Sequence, residues 1–392
     1  MDKPLNVLHL FDLYLPHTMN WAYRSMLATP GTKSWVAAPW IVQNEYFHPD
    51  FRFFIRPWQS GQALPATEWT QGWLSAKLIR SEKYWPLYRH WLQKQLAQER
   101  PDIIHAHFGP VGCHFLPLAQ KLNIPLMTSF YGYDYESLPF RKPAFREKYR
   151  RLFQGAAAIT AMGPHGREVL VASGCPAEKA HVQPLSIDPA EFPFVARPKI
   201  AGQLQMVQVG TITEKKGHLI TLQAVQIARQ RCPQLHLTIA GEHFNQAIVR
   251  EMQTYLEEHN LREHVTWLDF LPHAQLPEFL GQFEVFIHPS HYTAHRDCEG
   301  GPVVLLEAQA TGLPVISTWH FDIPTEVLHE RTGLLAPEQD PVALASHIER
   351  FYWMENTEYQ GFSTAARQHV AANFHVASAG ITLSKLYQAL LA

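Results

Sequence analysis

"EGGPVVLLEAQATGLPVIST", residues 299–318, is the stretch on which the fold turns. Gly300 and Gly301 let the backbone approach a ligand closely, and Pro302 suits the first turn of a helix. The apolar run behind them predicts a helix from about Pro302 to Thr311, stopped by Gly312 and Pro314, after which "PVIST" returns to a sheet. Upstream, "EVFIHPS" (284–290) reads as a strand. Strand, glycine corner, helix and strand make one unit of a parallel sheet. Such a unit turns the unpaired amides and the positive dipole end of its helix toward the carboxyl ends of the strands, which is a ready anion site.

Two carboxylates flank the corner. Glu307 lies five residues past Pro302, which at a rise of 1.5 Å per residue is about 7.5 Å along the helix axis. Glu299 and Glu307 therefore address different parts of one ligand. Neither gains from facing a phosphate, so each suits neutral hydroxyls, and a diphosphate with a sugar on either side offers them. On spacing alone a plainer reading stands beside this one, with Glu299 as a capping acid and Glu307 as a solvated surface residue.

Working outward, "VQVGTITEKKGHLITLQAV" (207–225) has a strand ending at Gly210 and a loop with Glu214, Lys215, Lys216 and Gly217 that opens a helix. A lysine here neutralises a phosphate without a metal; taken by itself the loop also reads as a solvated turn. An acid stands two positions after an Asp only at Asp134–Glu136 and Asp297–Glu299, and Asp-x-Asp itself does not occur, so a DxD-type metal clamp is not expected.

The same strand and helix rhythm fills the rest of the chain. "LNVLHLF", "SWVAAP", "DIIHAHF", "PLMTSFY" and "AAITAM" supply strands in the first half; "LQMVQVG", "LHLTIAG" and "HVTWLDF" restart the pattern ahead of "EVFIHPS" and "PVISTW". Between the halves, "QPLSIDPAEFPFVARPKIAG" carries four prolines and no periodicity, which marks a linker. The last stretch, "SAGITLSKLYQALLA", has the apolar stripe of a helix that needs a surface.

Composition agrees with two domains. At 392 residues the chain exceeds one compact core, and 46% hydrophobic against 17% charged residues is a globular balance. A net charge of −2 and no basic recognition motif argue against nucleic acid as a partner. The opening "MDKPLNVLHLFDLYLPHTMNW" lacks the long apolar stretch of a signal peptide, and no window reaches the ~18 apolar residues of a membrane span. Cys113, Cys175, Cys232 and Cys298 are scattered, as reduced thiols of a cytoplasmic protein would be.

Gly210, Lys216 and Gly217, "HPS", Glu299-x7-Glu307, "EAQATGLPVIST" and "RTGLLAPEQDPVALA" together resemble the second domain of retaining GT-B fold glycosyltransferases of family four, in the flavour of bacterial exopolysaccharide and lipopolysaccharide biosynthesis. "PDIIHAHFG", "MTSFYGYD" and "VQPLSIDPAEF" extend the resemblance through the first half. It implies an α/β GT-B fold: two Rossmann-like doubly wound domains facing across a cleft, an acceptor domain over 1–190 and a nucleotide-sugar donor domain over 191–374, with a C-terminal helix at about 375–392 returning to the first. Glu299 would hold hydroxyls of the donor sugar and Glu307 those of the ribose. Gly300, Gly301, Pro302 and Val303 would face the sugar and diphosphate, and Lys216, with Lys215, Gly210 and Thr211, would meet the diphosphate. The base would lie near Phe270, Leu271 and Pro272. Lys216, Glu299, Tyr131 and Asp134 form the implied catalytic set, and His17, Asn20 and His107 stand on the acceptor side.

The implied reaction moves a hexose from a nucleotide sugar, UDP-glucose or a similar UDP-hexose, to a glycan or lipid-linked acceptor, on the face that the leaving group departs, with neither cofactor nor divalent metal. Two positions depart from the family's habit. Tyr131 stands where the family commonly has His, and Thr211 where it has Arg, so a fixed charge is missing and reliance on Lys216 and Lys215 should grow. The first loop, "LPHTMNW", lacks the usual glycine pair, leaving His17, Thr18 or Asn20 for contacts there. These departures motivate one rival, a degenerate nucleotide- or glycan-binding subunit; the others are a nucleotide-sugar epimerase or a phosphorylase of the same fold.

Two further stretches carry chemistry. "HAHFGPVGCH" offers His105, His107, Cys113 and His114 as a zinc set, against a structural or acceptor-side role. "WTQGWLSAKLIRSEKYWPLYRHWLQKQLAQER" mixes aromatic and basic residues. It reads either as a helix pair packed on the first domain or as a peripheral contact with the inner face of the membrane, near a lipid-linked acceptor.

Overall fold

A computed structural model describes residues 3–14, 19–41, 50–54 and 84–392. The chain divides into two compact units, residues 1–185 with 376–392, and residues 186–375. The division falls five residues before the expected boundary, for a physical reason. Ile187 N–H bonds to the Phe374 carbonyl, the Arg367 guanidinium donates to the carbonyls of Pro189 and Phe192, and Phe192 is fully buried. The proline-rich segment is thus anchored on the second unit from Ile187 onward, while Gln183 is still bonded to the first. Arg197 and Lys199 are buried there too; the Arg197 guanidinium donates to the carbonyls of Val195, Thr311 and Leu280.

The first unit is built on seven parallel strands. They are β1 (Leu5–Leu10), β3 (Thr32–Ala37), β5 (Arg52–Phe54), β6 (Ile103–His107), β7 (Leu126–Ser129), β8 (Ala158–Ala161) and β9 (Ala180–Val182), in the order β5-β3-β1-β6-β7-β8-β9. A two-residue pairing joins β2 (Leu13–Tyr14) to β4 (Trp40–Ile41). The central strands are buried because helices cover both faces; all five residues of β6 are buried, His105 and His107 included. Helix Gly109–Leu122 packs so closely that a Cβ on Gly109 would lie 2.2 Å from the Phe130 ring. The C-terminal helix Val376–Ala389 belongs to this unit, where Leu383 and Tyr387 pack on Val7, Ile103, Met127 and Ala158.

The described part of the aromatic and basic stretch is the helix Tyr84–Leu96. Its Tyr88, Leu92 and Leu96 are buried, and Trp85 and Tyr88 meet Phe115 edge on. That half spends its apolar stripe on packing; residues 69–83 lie outside the described residues. Among the described residues, no helix is long and apolar enough to cross a membrane.

The second unit has six parallel strands: β10 (Leu204–Val209), β11 (Leu235–Ala240), β12 (Val265–Leu268), β13 (Val285–Ile287), β14 (Val315–Thr318) and β15 (Gly333–Ala336), in the order β12-β11-β10-β13-β14-β15. One hydrophobic core lies on each face. Met206, Leu237 and Ile316 pack with helices His218–Ala228 and Pro341–Trp353, while Val207, Phe286 and Leu335 pack with Val303–Ala310 and Asn356–Asn373. The strand order reverses direction between β10 and β13. In a doubly wound sheet the loops leaving those two strands part there and open a crevice for a ligand.

Candidate functional site

The two loops at this reversal carry the carboxylate and lysine motifs. β10 ends at Val209, and Gly210 (φ 154°) turns the chain into a loop whose single 3₁₀ turn, Glu214–Lys216, ends at Gly217. Gly217 is left-handed at φ 69°, and a Cβ there would fall 2.2 Å from the Pro289 carbonyl oxygen. Only glycine lets this loop lie against the one leaving β13. A hydrogen bond from His291 N–H to the Lys215 carbonyl (3.0 Å) joins the two loops, and Gln208 Nε2 on β10 holds the Lys216 carbonyl (2.9 Å).

Lysine 216 Nζ then lies 3.3 Å, and Lys215 Nζ 3.4 Å, from Glu299 Oε1. Lys215 is further tied to Asp297 Oδ1 at 3.3 Å and to the Cys298 carbonyl at 3.2 Å. Both lysines thus hold Glu299, and Lys215 has two further oxygen partners. Burial pushes the Glu299 carboxyl up, but the Lys215 and Lys216 ammonium groups outweigh burial and hold it well below the usual carboxylate range. The same pairing raises Lys215 against its own burial. Both side chains are charged at neutral pH.

Helix Val303–Ala310 begins one residue later and ends one residue earlier than expected. Pro302 has ψ 104° and is the N-cap rather than a first-turn residue, and no side chain caps the helix start. The leading amides of Val303 and Val304 therefore head an uncapped N-terminus beside Glu299. Glu307 is 4% exposed, which removes the solvated-surface reading. Its Oε1 accepts a hydrogen bond from His273 Nε2 at 2.8 Å. His273 opens the turn after Phe270, Leu271 and Pro272, so that loop and Glu307 form one wall; Phe270 is exposed there.

Three residues escaped sequence reasoning. His320 Nε2 accepts from the Glu299 N–H at 3.1 Å, and His320 Nδ1 bonds Glu338 Oε1 at 2.7 Å, so this pair sets the Glu299 backbone. Glu326 presses on Gly301: a Cβ there would lie 2.5 Å from Glu326 Oε1. No local pattern marks any of them, since each acts from 18 or more residues away. Both ring nitrogens of His288, Ser290 Oγ and Glu326 Oε2 are buried without a hydrogen-bond partner. Buried polar groups left open are what a polar ligand would satisfy.

In the first unit, the Tyr131 hydroxyl meets His107 Nδ1 at 2.7 Å, and His107 Nε2 meets His9 Nδ1 at 3.1 Å. His107 is buried and stacked on Phe11, so it supports Tyr131 from behind rather than standing open. Asp134 is buried, its oxygens accepting from the Gly109 and Tyr131 amides at 2.8 and 2.9 Å. It clamps the helix start at Gly109 to the loop carrying Tyr131. Burial raises the Asp134 carboxyl to about 6 in spite of those bonds. Asn20 is buried at the start of helix Asn20–Ala28, while His17 and Thr18 lie outside the described residues.

The supposed zinc set is divided. His105 and His107 stack on one strand face and are joined by His9, whereas the His114 ring stacks on Trp85 and burial pushes the Cys113 thiol up to about 12. Among the described residues these three histidines are the group able to hold a metal. Yet His105 already bonds Tyr387 and Ser129, and His107 bonds Tyr131 and His9. Burial holds all three well below the ordinary imidazole value, so they are neutral hydrogen-bonding rings.

The model for "Glycosyl transferases group 1" matches residues 193–369, and that for "Glycosyltransferase Family 4" matches residues 71–191. The chain belongs to the GT-B glycosyltransferases of family four. It is similar to the amylovoran biosynthesis glycosyltransferase AmsK of Erwinia amylovora, with 32% identity over 65% of this chain and 63% of that protein. It is likewise similar to a colanic acid biosynthesis glycosyltransferase, WcaL, of Salmonella typhimurium, with 30% identity over 73% of this chain and 70% of that one. The fold matches Anabaena Alr3699/HepE, solved with UDP and glucose, at TM-score 0.74 and 14% identity over 98% of this chain and 99% of that one. A Rickettsia africae glycosyltransferase matches at TM-score 0.77 and 14% identity over 100% of this chain and 99% of that one.

Proposed function

We propose that this chain is a retaining, metal-independent hexosyltransferase of exopolysaccharide synthesis, taking its sugar from a UDP-linked donor and passing it to a glycan or lipid-linked acceptor on the cytoplasmic side. The observation that carries the reading is Glu299, charged and held by Lys215 and Lys216 beside an uncapped helix start that also bears Glu307. In this reading the helix amides and Lys216 take the diphosphate, Glu299 accepts from hexose hydroxyls, and the second oxygen of Glu307 accepts from the ribose. The base rests near Phe270. Charge developing on the leaving diphosphate meets donors already in place, so little reorganisation is needed as the bond to the sugar breaks. A phosphate oxygen takes the acceptor proton on the departing face. AmsK and WcaL are named for exopolysaccharide synthesis, and Alr3699/HepE was solved with UDP and glucose, which supports the choice of pathway and donor.

Thermal-shift screening against a nucleotide-sugar panel tests the donor, because a ligand of the native state raises its melting temperature. A UDP-hexose should give the largest rise. Product NMR should then show the donor's anomeric configuration retained, and transfer should survive EDTA. Loss in EDTA with recovery on Mn²⁺ would overturn the metal-free account, and epimerised UDP-sugar without acceptor would favour an epimerase.

A further inference from the structure

Glu326 ends the short helix Ile323–Glu326, is 5% exposed, and leaves Oε2 without a hydrogen-bond partner. Its other oxygen occupies the space a side chain on Gly301 would need, since an added Cβ would sit 2.5 Å away. Gly301 immediately precedes the N-cap of the uncapped eight-residue helix Val303–Ala310. The backbone of Glu326 is tied to that helix, because Gln309 Nε2 donates to its carbonyl at 2.9 Å. A buried carboxyl, with one oxygen against Gly301 and the other without a hydrogen-bond partner, is therefore held at the residue that precedes an open helix start.

We propose that Glu326 is a further donor-binding residue, its carboxylic acid O–H donating to a phosphate oxygen of the diphosphate at this corner. The inference rests on the donor site argued above and adds a residue to it. An ionised Glu326 would repel a diphosphate, so its protonation decides the matter. The charged groups that act on it are Asp322 and Glu299, and Glu299 in turn carries Lys215 and Lys216 and the rings of His288 and His320 beside it. Both lysines face Glu299, whose charge, with that of Asp322, works against a second carboxylate. Burial first, then Asp322 and Glu299, push Glu326 well above the ordinary carboxyl value. A carboxyl that keeps its proton is a donor as well as an acceptor, and a phosphate oxygen accepts. Gly301 is then a glycine on two counts, for the ligand and for the acid behind it.

Calorimetry with UDP, and ligand-observed NMR with uridine, on the intact chain and on Glu326→Gln and Glu326→Leu test the assignment. Glu326→Gln keeps a neutral donor and should bind UDP within about threefold of the parent, while Glu326→Leu should weaken UDP about tenfold or more and leave uridine unchanged. Melting temperatures report folding separately, and Leu removes a buried unpartnered carboxyl, so a binding loss without a lower melting temperature belongs to the site. UDP binding by Glu326→Leu equal to the parent's, or tighter in both variants, overturns the role of Glu326 and leaves the donor reading standing. A parent that binds no nucleoside diphosphate overturns both.

Discussion

Glu299 shows how one side chain is made by its surroundings. Left alone in this buried position it would hold a proton; two ammonium groups within 3.4 Å keep it charged, so it is ready to accept from hydroxyls. Glu307→Ala would leave ribose hydroxyls and the His273 N–H without an acceptor. Its UDP affinity should fall by about 1–3 kcal/mol in calorimetry, and an unchanged value would remove Glu307 from the site. Asp134 gives a pH signature in the other unit. Its folded value, about 6, lies above the ordinary 3.8, so its contribution to stability is complete below that ordinary value and is lost as pH rises through about 6. The loss is at most about 3 kcal/mol. Melting curves of Asp134→Asn should lack that decline between pH 4 and 6 relative to the parent.

Elements matter at their ends. The loop after β10 reaches Glu299 only because Gly217 adopts φ 69° against the Pro289 carbonyl. Gly217→Ala should separate the two loops, destabilise the fold by about 1–3 kcal/mol, and weaken UDP binding more than any change on the far face of helix His218–Ala228. Lys216→Ala should slow transfer while the chain stays folded, and turnover equal to the parent's would reject its phosphate role. At this scale much could be read directly. All ten stretches assigned as strands are strands, because burial in a parallel sheet writes most of them as largely apolar or β-branched runs. β5, β9 and β15 escaped because three or four residues flanked by turns carry no periodicity. Pro302 was placed one position too far inside its helix, since proline suits a cap as well as a first turn.

The whole molecule depends on a contact distant in sequence. Helix Val376–Ala389 follows the second unit along the chain, yet Leu383 and Tyr387 fill the core of the first, and the Tyr387 hydroxyl bonds His105 Nδ1 at 2.6 Å. Ending the chain at His375 should expose that core, lower the melting temperature of the first unit, and leave UDP binding by the second unit near the parent's. Equal loss of both would show that the units fold as one. Tyr387→Phe should cost about 1–3 kcal/mol in denaturant unfolding, because a buried imidazole loses its partner.

The sequence alone determined the two α/β units and the glycine, lysine and glutamate positions at the ends of their strands, because each is written in local spacing and in the apolar pattern of neighbouring residues; the strand order, with the reversal that opens a crevice, came from the tertiary structure. Only the tertiary structure decided that both lysines hold Glu299, that Glu307 leans on His273, that His320 sets a backbone amide, and that Glu326 lies behind Gly301. These depend on side chains from different strands meeting across a packed corner. Their protonation follows from how much water that packing excludes, which no linear spacing records.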